Sequence, residues 1–368
     1  MEEIAHKVTK ITFDKSQSSE FYTVVKERVN DYFVQNNLSR HANSAMVLKT
    51  VFILTSFVLT YALLLSNIFS PWWLFAIAGI HGFFTALIGL NIAHDAIHGA
   101  YSSNKTVNKV LGLLFNLVGA NDYVWKITHN IVHHTYTNIP DHDDDIDQIP
   151  ILRLNPKQDL WWIHRYQHIY GVFLYTLSSF SWVFMKDYKK FFAYNIGGHI
   201  NHHPRKEYYR LFLYKALYYV LFVIIPFTVI ELPWWQILIG FLFLHAVEGA
   251  TLSFVFQLAH VVDGPEFPEP DENGFIERSW AAHQMHTTAD FARGNGLANF
   301  LFGGLNFQIE HHLFPKVCHI HYRKIAPIVQ ETAREYGLPY YDNPSYLGAV
   351  RSHLRTLKIM GSPVAAPA

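Results

Sequence analysis

Four stretches of the chain are almost free of charge, and long polar segments separate them. Residues 51–69 contain no charged side chain, and 72–93 carry only His81 as a group that titrates near neutrality. Residues 211–230 carry only Lys215 as a charge, and 234–259 only Glu248 and, near neutrality, His245. Each is close to the roughly 20 residues that cross a bilayer as a helix. Ser70-Pro71 joins the first two and Glu231-Leu232-Pro233 the last two, so they pair as antiparallel hairpins. Pro226 is expected to kink the third span. Two further apolar runs, 111–118 and 169–185, are short or marginal and are expected to lie in the interface or inside a cap. Ahead of the spans, Phe21, Val25, Val29 and Phe33 repeat every fourth position and predict an amphipathic helix on the membrane or on the cap. A mobile tail is the competing expectation there. The end of the chain, 363–368, is expected to be disordered.

Charge placement orients these spans. Neither hairpin link holds a Lys or Arg, and of the basic residues only Arg210 and Lys215 flank or enter a span. Basic residues mark the cytoplasmic side. Both termini and the large loop at 94–209 are therefore expected to be cytoplasmic. If 169–185 also crossed, the C-terminal histidines would end on the opposite face from the others. The expectation is thus an all-α membrane protein, four transmembrane helices in two hairpins, with a helical cytosolic cap.

Composition narrows the chemistry. Half of the 368 residues are hydrophobic, 16% are charged, and the net charge is zero, so nothing argues for a nucleic-acid partner. The one cysteine, Cys318, excludes an internal disulfide and any site built from several cysteines. No cleavable signal peptide is visible. Histidine is abundant, at 23 residues, and it is clustered. His94 and His98 stand four apart where the second span ends. His129 and His133 repeat that spacing, with His134 adjacent. Gln308 precedes the pair His311 and His312. Spacings of three and four place side chains on one helix face, one turn apart. His260 closes the fourth span. These eight histidines, with Gln308 as a weaker donor, are too many for one tetrahedral zinc and suit two metal ions. Ligand type alone does not choose among zinc, copper, iron and nickel. Soluble di-iron bundles rely mainly on carboxylates, unlike this set. Asp95 and Glu310 sit inside the clusters and are candidates to orient a ligand imidazole through its distal N–H.

Other polar groups have simpler readings. The acidic run 141–147, with His142, is expected to be a solvated loop. The pairs His164/His168, His199/His203 and His283/His286 are expected to serve the cap surface, with His202 and His203 able to meet a headgroup. His81, His245 and Glu248, inside spans, are functional candidates or buried hydrogen-bonding groups.

The motifs HDAIH at 94–98, HNIVHH at 129–134 and QIEHH at 308–312 resemble the three histidine boxes of integral-membrane fatty acid desaturases. The leading glutamine is similar to that of the front-end acyl desaturases, which act between an existing double bond and the carboxyl end. QMHTT at 284–288, NFQIEHHLFP from Asn306 and the run Gly337-Leu338-Pro339-Tyr340 extend the likeness over about 45–342. The resemblance implies a histidine-rich di-iron centre with His260 as a further ligand. It also implies two iron ions as cofactor and the O₂-dependent, two-electron introduction of a cis double bond, such as a delta-5 or delta-6 bond, into an acyl-CoA or acyl-lipid. The haem motif HPGG of a fused cytochrome b5 is absent, since Arg205 follows His203-Pro204. A separate electron donor is therefore expected, cytochrome b5 or ferredoxin with an NAD(P)H reductase. On this view the chain divides into an N-terminal cytosolic segment (1–46), a desaturase domain (47–342) and a tail (343–368). The competing functions are a histidine-box hydroxylase of alkyl chains, sterols or carotenoids, and a non-catalytic membrane protein that binds metal.

Overall fold

The computed structural model describes residues 11–15, 19–143, 146 and 149–363. In chain order the helices that place the site begin with α1 (Ser19–Gln35), α2 (Ser44–Leu65) and α3 (Pro71–Ile97). A helix over 122–136, α4, carries the second histidine motif, and α5 (Gln167–Thr176) follows it. Then come α6 (Arg205–Val229), α7 (Trp234–His260) and α8 (Trp280–Thr287). The last three are α9 (Gln308–Leu313), α10 (Tyr322–Glu335) and α11 (Tyr346–Met360).

Among the described residues, α2, α3, α6 and α7 are the helices long and apolar enough to cross a membrane. They begin or end within a few residues of the expected spans, and α2 and α6 start about two turns earlier. Asn43 sets the start of α2, its side chain accepting the Met46 N–H. On α2 one stripe is buried, Met46, Lys49, Thr50, Ile53, Phe57 and Thr60, while the rest of its apolar surface faces outward. That suits a span that packs on one side and meets lipid on the other. By contrast α3 is mostly buried and is the central helix of the bundle. It lies directly on α7 because Gly82 has no side chain: a Cβ there would stand 2.2 Å from the Leu244 carbonyl oxygen.

Two irregularities in the spans have local causes. Pro226 offers no N–H to the turn before it, and 220–224 widens into a π-helical turn. The Tyr61 hydroxyl donates to the Leu221 carbonyl there. Lys215, inside α6, is buried against Asp187 at 2.8 Å and also donates to the Gly119 and Val183 carbonyls. A fully hydrogen-bonded pair is the form in which a charge is tolerated at such a site.

The stretch 167–192 is a broken helix packed along α7, not a fifth span. The face of α1 is buried on α10, with Phe21, Val25, Val29 and Phe33 all enclosed. It therefore rests on the cap, the second of the two placements expected for that helix. The segment set apart as a tail is largely structured: α11 packs into the molecule, and His353 bridges the Val261 carbonyl and the Tyr175 hydroxyl. Of 363–368, all but Pro363 lie outside the described residues.

Candidate metal centre

Two of the histidine motifs sit where the backbone leaves ordinary α-geometry. Residues 88–93 of α3 form a π-helical turn directly before His94, and 126–133 of α4 form another that contains His129 and His133. Such turns rotate the residues that follow relative to the helix before them. His260 is the last residue of α7, and α9 contributes Gln308, His311 and His312.

The structure brings all of these together. His94, His98, His129 and His311 form one group, each offering a donor atom within 4.8 Å of the others. His133, His260 and His312 form a second group by the same measure. His134 lies between them, with its ring 4.6 Å from that of His311 and 4.4 Å from that of His312. The Gln308 amide nitrogen is 2.9 Å from His260 Nε2 and 3.3 Å from His312 Nε2, inside the second group.

In the second group the cap fixes each ring. His133 Nδ1 donates to Asp143 at 3.0 Å, and His312 Nδ1 donates to Gln284 Oε1 at 2.7 Å. His260 Nδ1 donates more weakly to the Thr287 carbonyl, at 3.3 Å. With the proton held on Nδ1, Nε2 of each presents a lone pair inward. That is the arrangement in which outer hydrogen bonds orient histidine toward a metal. Gln284 is itself aimed by Thr137, whose hydroxyl also donates to its Oε1.

The first group is held mainly by packing. Trp125 stacks on His129 with centroids 4.6 Å apart, and Trp182 covers Trp125 at 4.9 Å. The Tyr322 hydroxyl lies 3.3 Å from His311 Nδ1, leaving His311 Nε2 buried with no hydrogen-bond partner. His98 Nε2 is in the same state.

These contacts fit a bound cation. Nε2 of His129 lies 3.3 Å from Nε2 of both His94 and His134. With the ring protons on Nδ1, lone pairs would face one another at that distance, and a cation between them would relieve the repulsion. Charging the rings with extra protons is a poor solution here. Burial, and then the neighbouring imidazoles, hold His98, His134, His311 and His312 well below the ordinary histidine range. They are neutral, the form that binds metal.

Several expectations need correction. Asp95 does not orient a box histidine: its carboxylate accepts from His319 Nδ1 at 2.8 Å, the His319 N–H and the Cys318 thiol. Lys49 Nζ is 2.9 Å from the other nitrogen of His319. Asp95, Cys318 and His319 are close enough to hold an ion, but these donors and acceptors already satisfy one another. Glu310 turns instead to Tyr340 at 2.8 Å and to Asp290, whose Oδ1 accepts the Ile309 N–H at the start of α9. Burial pushes Asp290 up to about 6, and burial beside Asp290 pushes Glu310 well above the usual range.

Asp143 is fully buried, unlike a residue of a solvated loop. His164 and His283 are buried too, donating to the Pro150 and Thr137 carbonyls instead of serving a surface. His203 bonds Tyr123 and the Phe191 carbonyl.

Residues 70–344 match the family described as fatty acid desaturase. The chain belongs to the fatty acid desaturase family. It is 37% identical to the sn-1 linoleoyl-lipid 6-desaturase of Arthrospira platensis, over 96% of this chain and 95% of that protein. It is 34% identical to the acyl-lipid (8-3)-desaturase of Physcomitrium patens, over 95% of this chain and 74% of that one. A probable Delta(5) fatty acid desaturase of Dictyostelium discoideum is 31% identical over 94% of the chain. The protein is therefore a membrane oxidoreductase of the desaturase class, and its buried histidine groups are able to hold metal.

Proposed function

We propose that this desaturase is a front-end acyl-lipid enzyme. It inserts a cis double bond between an existing double bond and the carboxyl end of an acyl chain, consuming O₂, two electrons and two protons and releasing two waters. Two irons are its cofactor, with His94, His98, His129 and His311 holding one, His133, His260 and His312 the other, and His134 between them. Bound there, the irons supply the oxidation of an unactivated C–H bond that side chains alone lack.

The residues of this chain supply position and dryness. Asp143, Gln284 and the Thr287 carbonyl keep each Nε2 of the second group turned inward. Trp125 stacks on His129 and Trp182 on Trp125, which shields one face of that ring from water. Gln308 is a weak, uncharged donor beside the second group that tunes a coordination position without anchoring the metal. The electrons come from a separate donor, cytochrome b5 or ferredoxin with an NAD(P)H reductase. The histidine end of the bundle and both termini face the cytoplasm, because the links at the other end carry no Lys or Arg.

The observation that carries this reading is the convergence of three motifs and His260 on two groups whose nitrogens point inward, one of them beside Gln308. The test is expression in a host that lacks front-end desaturases, fed linoleate, with its lipids profiled by mass spectrometry. A new double bond on the carboxyl side of the existing pair is expected. A hydroxylated chain as the main product would replace the reading with a hydroxylase.

A further inference from the structure

Electrons that come from another protein need one side of the metal centre within reach of the surface. Of the candidate ligands, Gln308 and every histidine but one are buried. His98 is the exception and is partly exposed. Its Nε2 is sealed inside the first group, while among the described residues no hydrogen bond engages its Nδ1. The ring thus turns its outer edge to the surface. A single imidazole separates that surface from a metal held by the first group.

Three segments frame this edge. Asn130 of α4 donates to the Ile97 carbonyl at 3.2 Å. In the short helix Lys105–Gly112, Asn108 borders Gly99 and Gly112 packs on Ile97. His41 Nδ1 lies 3.0 Å from the Ala100 carbonyl. Each segment also brings a cation to the surface. Lys126 stands one turn before Asn130, Lys105 and Lys109 are on the short helix, and Arg40 precedes His41; all four are exposed. None of them forms an ion pair among the described residues. The acids of 94–134 are Asp95 and Asp122, and both are engaged, by His319 and by Arg210. Ile131, 41% exposed, adds an apolar contact beside Asn130.

The side of the second group has the opposite character. Residues 263–277 hold six acids and no Lys or Arg, and 141–147 hold five aspartates. Asp143 bonds His133, and the Asn138 amide bridges the Glu266 and His260 carbonyls, so both runs belong to that side. The chain as a whole is neutral, so the cap is polarised, basic around His98 and acidic by the second group. We propose that an acidic one-electron carrier protein docks on the basic face around His98 and passes its electrons through that ring, which rests on the reading above that a separate donor supplies them. Two encounters, each oxidising the carrier by one electron, deliver the pair that the reaction consumes. Opposite charge suits such brief contacts, which bury under about 1,200 Å² and form faster at low salt.

The probes are reduced plant-type ferredoxin and the reduced soluble domain of cytochrome b5. Each is mixed anaerobically with iron-loaded, full-length protein in nanodiscs, and reoxidation of the carrier is followed by stopped flow. Wild type is expected to reoxidise at least one carrier, faster at low salt than at high salt. Lys109→Glu with Lys126→Glu should slow this about 10-fold at low salt, the size of two reversed surface charges, and less at high salt. The control is Glu269→Lys with Glu272→Lys on the acidic side, which should not slow it. Double bonds formed in one turnover, after dithionite reduction and admission of O₂, are measured in the same samples. The ratio of carrier reoxidation to that product should fall in the basic-face variant, with its iron content showing that the site is intact. Equal rates in wild type and the basic-face variant, or an equal loss in the control, would overturn the proposal. So would a wild type that makes product after dithionite but reoxidises neither carrier. A matching fall in the dithionite-driven product would overturn it too, by assigning the lysines to a substrate headgroup. A wild type that makes no product even after dithionite would break the functional reading first, and the docking face with it.

Discussion

The two histidine groups are built differently. In the second, the rings of His133 and His312 are gripped from behind by Asp143 and Gln284, and that of His260 by a backbone carbonyl. In the first, aromatic packing around His129 and one distant hydroxyl at His311 do most of the work. The lesson is that one site can be made rigid in two ways. Hydrogen bonds choose the tautomer as well as the direction of a ring, whereas packing chooses the direction alone. The second group should therefore depend on residues outside the motifs, and the first on the volume of its neighbours.

The largest effect expected is from the anchors themselves. His311→Ala and His312→Ala should each abolish desaturation and lower iron content, read by product analysis and elemental analysis together. Removing an outer hydrogen bond should cost less. Asp143→Asn keeps the side chain's size but withdraws its charge from His133, and metal affinity should fall about 10- to 100-fold. Asp95→Asn should leave metal affinity nearly unchanged, because Asp95 serves His319. Equal losses in the two variants would erase the distinction between an aspartate that aims a ligand and one that does not.

Acid should act on both groups at once. His98, His134, His311 and His312 are held below their ordinary range, so their neutral forms are favoured in the fold. The stability this lends is present above the unfolded histidine pKa of about 6.5 and is lost as pH falls below it. Iron retention should thus be full near pH 7.5 and decline steadily below about 6.5, measured after dialysis at each pH. Smaller still is the effect of Gln308. Gln308→Ala should reduce product more than iron, since His260 and His312 remain. A loss of iron equal to that of His312→Ala would make Gln308 a full anchoring ligand. The smallest change expected is at Glu310. Glu310→Gln keeps an uncharged partner for Asp290 and Tyr340, so stability should shift by less than about 1 kcal/mol in thermal unfolding. A larger loss would mean that Glu310 is ionised.

The spans and the boxes were legible because each rests on a period. Twenty apolar residues have one sensible fate in a bilayer, and histidines four apart on a helix share a face. His260 could be placed because it ends a span. Asp95 and Glu310 were misread for the same geometric reason. Each is adjacent in sequence to a box histidine, and neighbours on a helix point about 100° apart, so both face away from the ring beside them. Asp143 could not be singled out because it stands in a run with Asp141, Asp144, Asp145 and Asp147. Only the fold shows that Asp143 turns inward. Gln284 lay in a stretch noticed for its resemblance, with nothing in the spacing to pair it with His312, 28 residues away. The tail at 343–368 stands apart because the family resemblance runs only to about residue 342, and it contains a helix whose buried stripe includes Ala349, His353, Leu357 and Met360.

The central claim is that two groups of imidazoles each hold an iron. Elemental analysis and Mössbauer spectroscopy of the purified full-length protein, grown on ⁵⁷Fe, test it most directly. The account predicts about two irons per chain in nitrogen-rich sites, falling together with activity in His312→Ala. One zinc per chain and no iron would contradict it.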